Sequence, residues 1–278
     1  MRKIANILLN LDRRIIFLLI AAAVLVPLLR PFNLPGISIS QPVKGVYDKI
    51  ESLAPGDVLF ISMDFDPTAK PELYPMGISI LRHAFSKDLR VICMTLWAPG
   101  VGMAEEVMSK VAREYHKEYG KDYAFLGWMP GQLTVIIGLG QDLKKTFPKD
   151  FYGNKTDRLQ IFENINSLRD IDYMVDLAAG DPGIETWYLY GKEKYGFELG
   201  GGCTAVIAPG LYPFLQTGQI NGLIGGMRGA AEYETLLNRK DKATVGMDVL
   251  STTHFLIIGL VILSNIFYLI TRKGKTVR

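Results

Sequence analysis

Cysteine and histidine are scarce in this chain. Its 278 residues hold two cysteines, Cys93 and Cys203, and three scattered histidines, His83, His116 and His254. Neither set has the spacing of a zinc site, and two cysteines do not frame a disulfide scaffold. Both cysteines fall in apolar, strand-like stretches and read as small buried hydrophobes. P-loop, nucleophile-elbow and metalloprotease-helix patterns are all missing. Gly138-Leu139-Gly140 lies inside a predicted helix, so it is no dinucleotide fingerprint. A basic patch is lacking too. With the basic residues of the two ends set aside (Arg2, Lys3, Arg13, Arg14, Arg30, Arg272, Lys273, Lys275, Arg278), acidic residues outnumber basic ones in the remainder. That balance excludes a nucleic-acid partner. There is no internal repeat.

What the chain does have is two charge-free apolar runs, IIFLLIAAAVLVPLL over 15–29 and FLIIGLVILSNIFYLI over 255–270. Each is near the ~20 residues that cross a ~30 Å hydrocarbon core, and flanking arginines and lysines can extend them to the headgroups. The first also has the make-up of a signal peptide. Its alanines (21–23) lie inside the apolar run, however, and Arg30 and two prolines follow it, which favours an uncleaved anchor. The expected organisation is an amphipathic cytoplasmic leader over 1–14, a transmembrane helix over 15–30 and a connector over 31–56. A Rossmann-like α/β domain follows over 57–248, then a second transmembrane helix over 249–271 and a basic cytoplasmic tail over 272–278.

Orientation follows from the basic residues near the spans. Arg2, Lys3, Arg13, Arg14, Arg272, Lys273, Lys275 and Arg278 slightly outnumber Arg30, Lys44, Lys49, Arg239, Lys240 and Lys242 on the domain side. This places both termini in the cytoplasm and the domain outside, at the plasma membrane of a prokaryote. The sequon at Asn154 agrees with that side. In the second span Gly259, Ser264 and Asn265 are the small and polar residues that face another helix rather than lipid, and imply a homo-oligomer or other membrane subunits as partners.

Between the spans, short β-branched runs alternate with helical stretches. Strands are expected at Val58–Met63, Val91–Leu96, Tyr123–Trp128, Ile171–Ala178, Cys203–Ala208 and Ile220–Ile224. Helices are expected over 71–86, 104–119, 130–143, 181–196, 211–217 and 229–237, with an excursion or lobe boundary at 145–170. Such alternation implies a mainly parallel sheet with helices on both faces. Ligands then bind beyond the carboxyl ends of the strands. This nominates Asp64, Asp66, Thr95, Trp97, Trp128, Gln132, Asp181, Gly225, Gly226 and Arg228 as ligand-binding candidates for a small molecule. Asp176, inside the apolar strand MVDLAA, must be paired or protonated.

The run Asp64-Phe65-Asp66-Pro67-Thr68 at the end of the first strand resembles the first motif of haloacid-dehalogenase-like phosphohydrolases. The resemblance implies Asp64 as nucleophile, Asp66 as general acid/base and Mg²⁺ held by Asp64 and Asp181, with Thr95 as the second-motif hydroxyl. The lysine that family places between its second and acidic motifs has no counterpart. Residues 215–234 (LQTGQINGLIGGMRGAAEYE) are similar to the helix-Gly-strand step of extracytoplasmic solute-binding proteins, where Gly225 and Gly226 would let amides approach a ligand. Without the phosphohydrolase likeness no cofactor is implied. The leading expectation is a membrane-anchored extracytoplasmic binding or assembly module, and the alternative is a Mg²⁺-dependent phosphohydrolase.

Overall fold

The computed structural model describes residues 12–32 and 38–272. The chain forms two compact units, one from its two ends (1–36 with 244–278) and one from 37–243.

In the terminal unit, helix α1 spans Arg13–Leu29, its Asp12 N-cap accepting a bond from the Arg14 amide at 2.9 Å. The Thr252 hydroxyl, on the long C-terminal helix, donates toward the Ala23 carbonyl at 2.9 Å and ties the two helices together. Within Lys242–Ile270 of that second helix an 18-residue stretch has a mean hydropathy of 2.1, and none of that stretch is buried. Among the described residues it is the one helix long and apolar enough to cross a membrane. The expected N-terminal span falls short of that length among the described residues. Helix α1 is apolar but has 17 residues, about 25 Å at 1.5 Å per residue, short of a ~30 Å core. The long helix also starts at Lys242, ahead of the expected 249, and runs through Gly246; the Ala243 amide of its first turn donates to Glu234 Oε1 at 2.9 Å. Asn265 donates to the Val261 carbonyl of its own helix at 2.8 Å. Most of the expected leader (1–11) and of the basic tail (273–278) lies outside the described residues.

In the central unit the elements follow in chain order as α2 (Gln41–Ser52), β1 (Val58–Asp64), α3 (Lys70–Ser86), β2 (Arg90–Thr95), α4 (Val101–Glu114), β3 (Tyr123–Trp128), α5 (Leu133–Gln141) and α6 (Leu143–Thr146). Then come β4 (Tyr173–Ala178), α7 (Ile184–Trp187), β5 (Leu199–Cys203), α8 (Ala208–Gln216), β6 (Leu223–Gly225) and α9 (Gly226–Leu236), the membrane-length helix above being α10 (Lys242–Arg272). All strands are parallel, in the order β3-β2-β1-β4-β5-β6. This is the doubly wound arrangement that the alternation of strands and helices implied.

Residues of β1 are buried without exception, as a central parallel strand covered on both faces requires. One face, carrying Phe60, Ile92, Met94 and Met174, packs against α5, α7 and the excursion, with Trp187 at its centre. The other meets α3 and α4, where Gly77 lets Met63, Val107 and Leu177 close over the helix. The excursion over 147–172 holds three short 3-10 turns, and inserts Ile161, Phe162, Ile165 and Leu168 into the first face. It is therefore a packed cover, not a boundary between lobes. Helix α2 belongs to this unit: the buried His83 imidazole bonds Glu51 of α2 and the Tyr233 hydroxyl, each at 2.8 Å, and stacks on Tyr47. Both cysteines are buried and unpaired.

Several element bounds differ from expectation, the sixth strand among them (Leu223–Gly225 and not Ile220–Ile224), and two of the differences have a local cause. The fifth strand is Leu199–Cys203 and not Cys203–Ala208, so its centre is Gly200-Gly201-Gly202. Glycine is a poor strand former by propensity, but side chains here would collide: a Cβ would lie 2.0 Å from the Tyr173 hydroxyl, 2.3 Å from Ile184 and 2.5 Å from Leu177, in that order. The helix expected from Asp181 begins at Ile184, Asp181 accepting instead from the Thr186 hydroxyl at 2.9 Å. It ends where expected, at Gly196 in the left-handed conformation (φ 84°).

Close backbone contact joins α2 to the sheet edge. A Cβ on Gly45 would stand 2.2 Å from the Asn221 carbonyl oxygen, and one on Gly222 2.3 Å from the Val46 nitrogen. We expect Gly222→Ala to destabilise the chain by about 2–3 kcal/mol, since neither backbone can yield locally. Gly102→Ala, which meets open space on α4, should be neutral or slightly stabilising. Thermal melting of the full chain in maltoside micelles compares the two; equal melting temperatures would refute the close-packing account.

Candidate functional site

The chain order reverses between β1 and β4, which opens a crevice at their carboxyl ends. Three adjoining depressions lie along this edge. One of about 230 Å³ is lined by Asp64, Asp66, Thr68, Trp97 and Asp181. A second, of about 470 Å³, lies against Trp97, Trp128, Gln132 and Leu133. The third, of about 520 Å³, runs from Gln132 and Asp181 to Leu189 and Tyr190. Trp97, Gln132 and Asp181 each line two of them, so the three read as one groove.

Beneath the groove Asp64 is a hub. It is 3 % exposed. Its Oδ1 accepts from the Leu96 amide at 2.5 Å and faces the Thr95 hydroxyl at 3.2 Å; its Oδ2 accepts from the Ser62 hydroxyl at 2.7 Å and the Trp187 indole at 3.3 Å. The neighbouring strand places Asp176 opposite Ser62, on the same face and one step behind Asp64. Asp176 is fully buried, and neither oxygen meets a donor. Two ionised carboxylates do not lie together in a protein interior. Asp176 is therefore the member of the pair that holds a proton. Burial first, and then the Asp64 charge, push the Asp176 carboxyl well above the carboxylate range. Asp64 is also raised, by burial, although its bonds to Ser62, Asp176, Leu96 and Trp187 pull the other way.

Asp66 stands outside, in solvent. Its Oδ1 accepts from the Thr68 hydroxyl (2.6 Å) and amide (2.9 Å), and its Oδ2 from the Trp97 indole at 3.3 Å. The Thr68 bonds hold it below the ordinary carboxylate range, so it stays ionised. Trp97 and Trp128 are 36 % and 42 % exposed. Gln132 has φ 32° after Gly131 at 111°, a left-handed turn that costs a residue with a side chain energy, set at the groove rim.

Of the sequence-nominated residues, the structure brings together Asp64, Asp66, Thr95, Trp97, Trp128, Gln132 and Asp181. Gly225, Gly226 and Arg228 line none of the three depressions. The Glu72 carboxylate already lies beside Gly226 and accepts from the Ala205 amide at 2.9 Å, so it fills the place an anion would take. Arg228 pairs with Glu232 at 3.1 Å on its own helix. Three contributors escaped the sequence reading: Ser62, Trp187 and Tyr190. Only the strand register and the fold of 181–196 bring them here.

The donor set does not fit a resident Mg²⁺. A carboxylate offers about four lone-pair sites, and those of Asp64 face Ser62, Leu96, Thr95 and Trp187. Among the described residues no group of three histidine, cysteine or carboxylate side chains is arranged to hold a metal.

Fold and site together define a Rossmann-like α/β domain on a chain with one membrane-length helix among its described residues. Compared with protein-family models, with curated proteins and with solved structures, the chain matches none.

The acid pair makes a pH prediction. Asp176 is raised above its unfolded value near 3.9, so its stabilising share is complete below that value and is lost as pH rises through the folded one. Asp176→Asn, which keeps the shape of the side chain without an ionisable group, should flatten the fall in stability over that window and be the more stable chain at neutral pH. Urea unfolding across pH checks this; parallel profiles for both chains would refute the proton on Asp176. Trp187→Phe should cost about 1–3 kcal/mol by stranding an acceptor.

Proposed function

We propose that the chain is a membrane-anchored binding module whose α/β domain takes a small ligand in the groove at the carboxyl ends of its strands, outside the membrane. The observation that carries this reading is the groove itself. It follows the switch point of the sheet, shows two half-exposed tryptophans and is rimmed by the strained Gln132. Soluble domains rarely leave adjoining indoles uncovered without a use for them. The reaction expected of a phosphohydrolase finds less support: Asp64 is enclosed and bonded from several sides, and a phosphate in the groove would meet carboxylates.

Anchoring rests on α10, whose apolar length has no cover within the chain. Association of α10 with another copy or another membrane subunit belongs to the same proposal, Gly259 and Ser264 supplying small residues for close helix contact. The outward orientation belongs to the same proposal and rests on α1 crossing the bilayer too, its flanking arginines reaching the headgroups, so that the basic residues beyond both helices lie on one side.

Two experiments test this. Because Cys93 and Cys203 are buried, the chain gives a low thiol background, and Lys121→Cys on the domain surface should react with an impermeant maleimide in intact cells. Labelling only after permeabilisation would reverse the orientation. For binding, a broad metabolite screen by thermal shift on the full chain should yield hits lost in the Trp97→Ala, Trp128→Ala double variant. A screen without any such hit would remove the binding role. Phosphatase activity that vanishes in a folded Asp64→Asn variant would restore the hydrolase.

A further inference from the structure

Resting on the binding reading above, we infer that the groove selects an organic cation, an alkylated ammonium group, seated against Trp97 and Trp128 beside the Asp66 carboxylate. The first observation is one of charge. Across all three depressions the lining is apolar, aromatic, amide, hydroxyl or carboxylate, with no lysine, arginine or histidine anywhere in it. The domain does not lack lysine. Lys144, Lys145, Lys149 and Lys155 surround a separate groove on the excursion. Asp66, Asp181 and Glu185, with the buried Asp64 beneath them, are thus the charges on the edge, and their field in a concave site favours a cation and opposes an anion.

The second observation is aromatic. Trp97 and Trp128 line one depression of about 470 Å³, and among the described residues no other aromatic ring stacks on either. With 36 % and 42 % of their surface exposed, both indoles offer ring surface to a ligand. The bond from the Trp97 indole to Asp66 Oδ2, at 3.3 Å, fixes ring and carboxylate side by side. Thr68 holds the same carboxylate from its other oxygen and keeps it ionised. An indole face next to an ordered carboxylate is the combination that recognises a weakly hydrated ammonium ion. A bare metal ion asks for a convergent set of oxygen or nitrogen ligands instead, and the described residues hold no such group.

The test uses the full chain in maltoside micelles and reads tryptophan emission. Trp187, buried and bonded to Asp64, gives a constant background. The probes are choline chloride, sodium chloride at matched ionic strength, and 3,3-dimethyl-1-butanol, the uncharged isostere of choline. Choline should change the emission saturably, and the alcohol should bind at least about tenfold more weakly. Trp97→Ala and Trp128→Ala should each weaken choline by about 2- to 30-fold at unchanged melting temperature, and Asp66→Asn should weaken it as well. Two arms separate the sources of the ammonium group. A choline response in phosphatidylglycerol nanodiscs identifies a free solute, whereas an altered emission in phosphatidylcholine nanodiscs without choline identifies a lipid headgroup. Equal binding of choline and the alcohol, both lost in Trp97→Ala, would overturn the cation and leave the groove as a binding site. No response to choline in any arm also overturns the cation; the metabolite screen then decides whether the binding reading falls with it.

Discussion

A carboxylate at the end of a wholly buried strand has to be satisfied from within, and in this protein that demand falls on Asp64. Meeting it engages every layer around β1. The Leu96 amide arrives from the end of β2, Ser62 from the same strand, and Trp187 from the helix that crosses one face. Asp176 brings β4 into the same cluster with a proton of its own. The cluster therefore positions the crossing helix and fixes the two strand ends between which the crevice opens. Removing one member would leave the others buried and short of a partner, the situation that makes interior polar groups costly to disturb.

Close approach is the second constraint, and glycine is how the sequence meets it. Gly200, Gly201 and Gly202 form a strand in which each missing side chain is replaced by a neighbour: Tyr173, Ile184 and Leu177 in turn. Gly45 and Gly222 bring α2 against the loop before β6. The buried Arg82 guanidinium binds Glu114 and, at 2.6 Å, Asp241 just ahead of α10. Packing of this kind gains its energy from dispersion and exclusion of water, not from any single bond.

How much of this was legible beforehand follows from the same physics. Strands built from β-branched and apolar runs, such as Val58–Asp64 and Tyr123–Trp128, announce themselves through local pattern. The glycine strand does not, because its reason lies in residues distant along the chain. The site divides the same way. Asp64, Asp66, Trp97, Trp128 and Asp181 follow strand ends and could be placed from topology alone. Asp176 was visible as a charge in an apolar strand, but its partner depended on register. Trp187 sits in a helix that begins later than its Asp-Pro signal suggests, and nothing local pointed it at Asp64. Gly225, Gly226 and Arg228 also follow a strand end, but Glu72 lies where a ligand would have gone.

The two aspartates of the Asp64-Phe65-Asp66 run, alike in sequence, end in opposite situations. Successive alternation along β1 turns Asp64 inward, where burial raises its pKa, while Asp66 lies past the strand in solvent, held ionised by Thr68. A nucleophile needs an uncommitted lone pair facing its substrate, and Asp64 spends its own on the fold. Asp66 has the charge but is bound to Trp97, a pairing that serves recognition better than proton transfer. The chemistry that looks catalytic in the sequence is thus divided between a buried structural hub and an exposed aromatic-acidic surface. That division is why binding is the stronger reading of this edge.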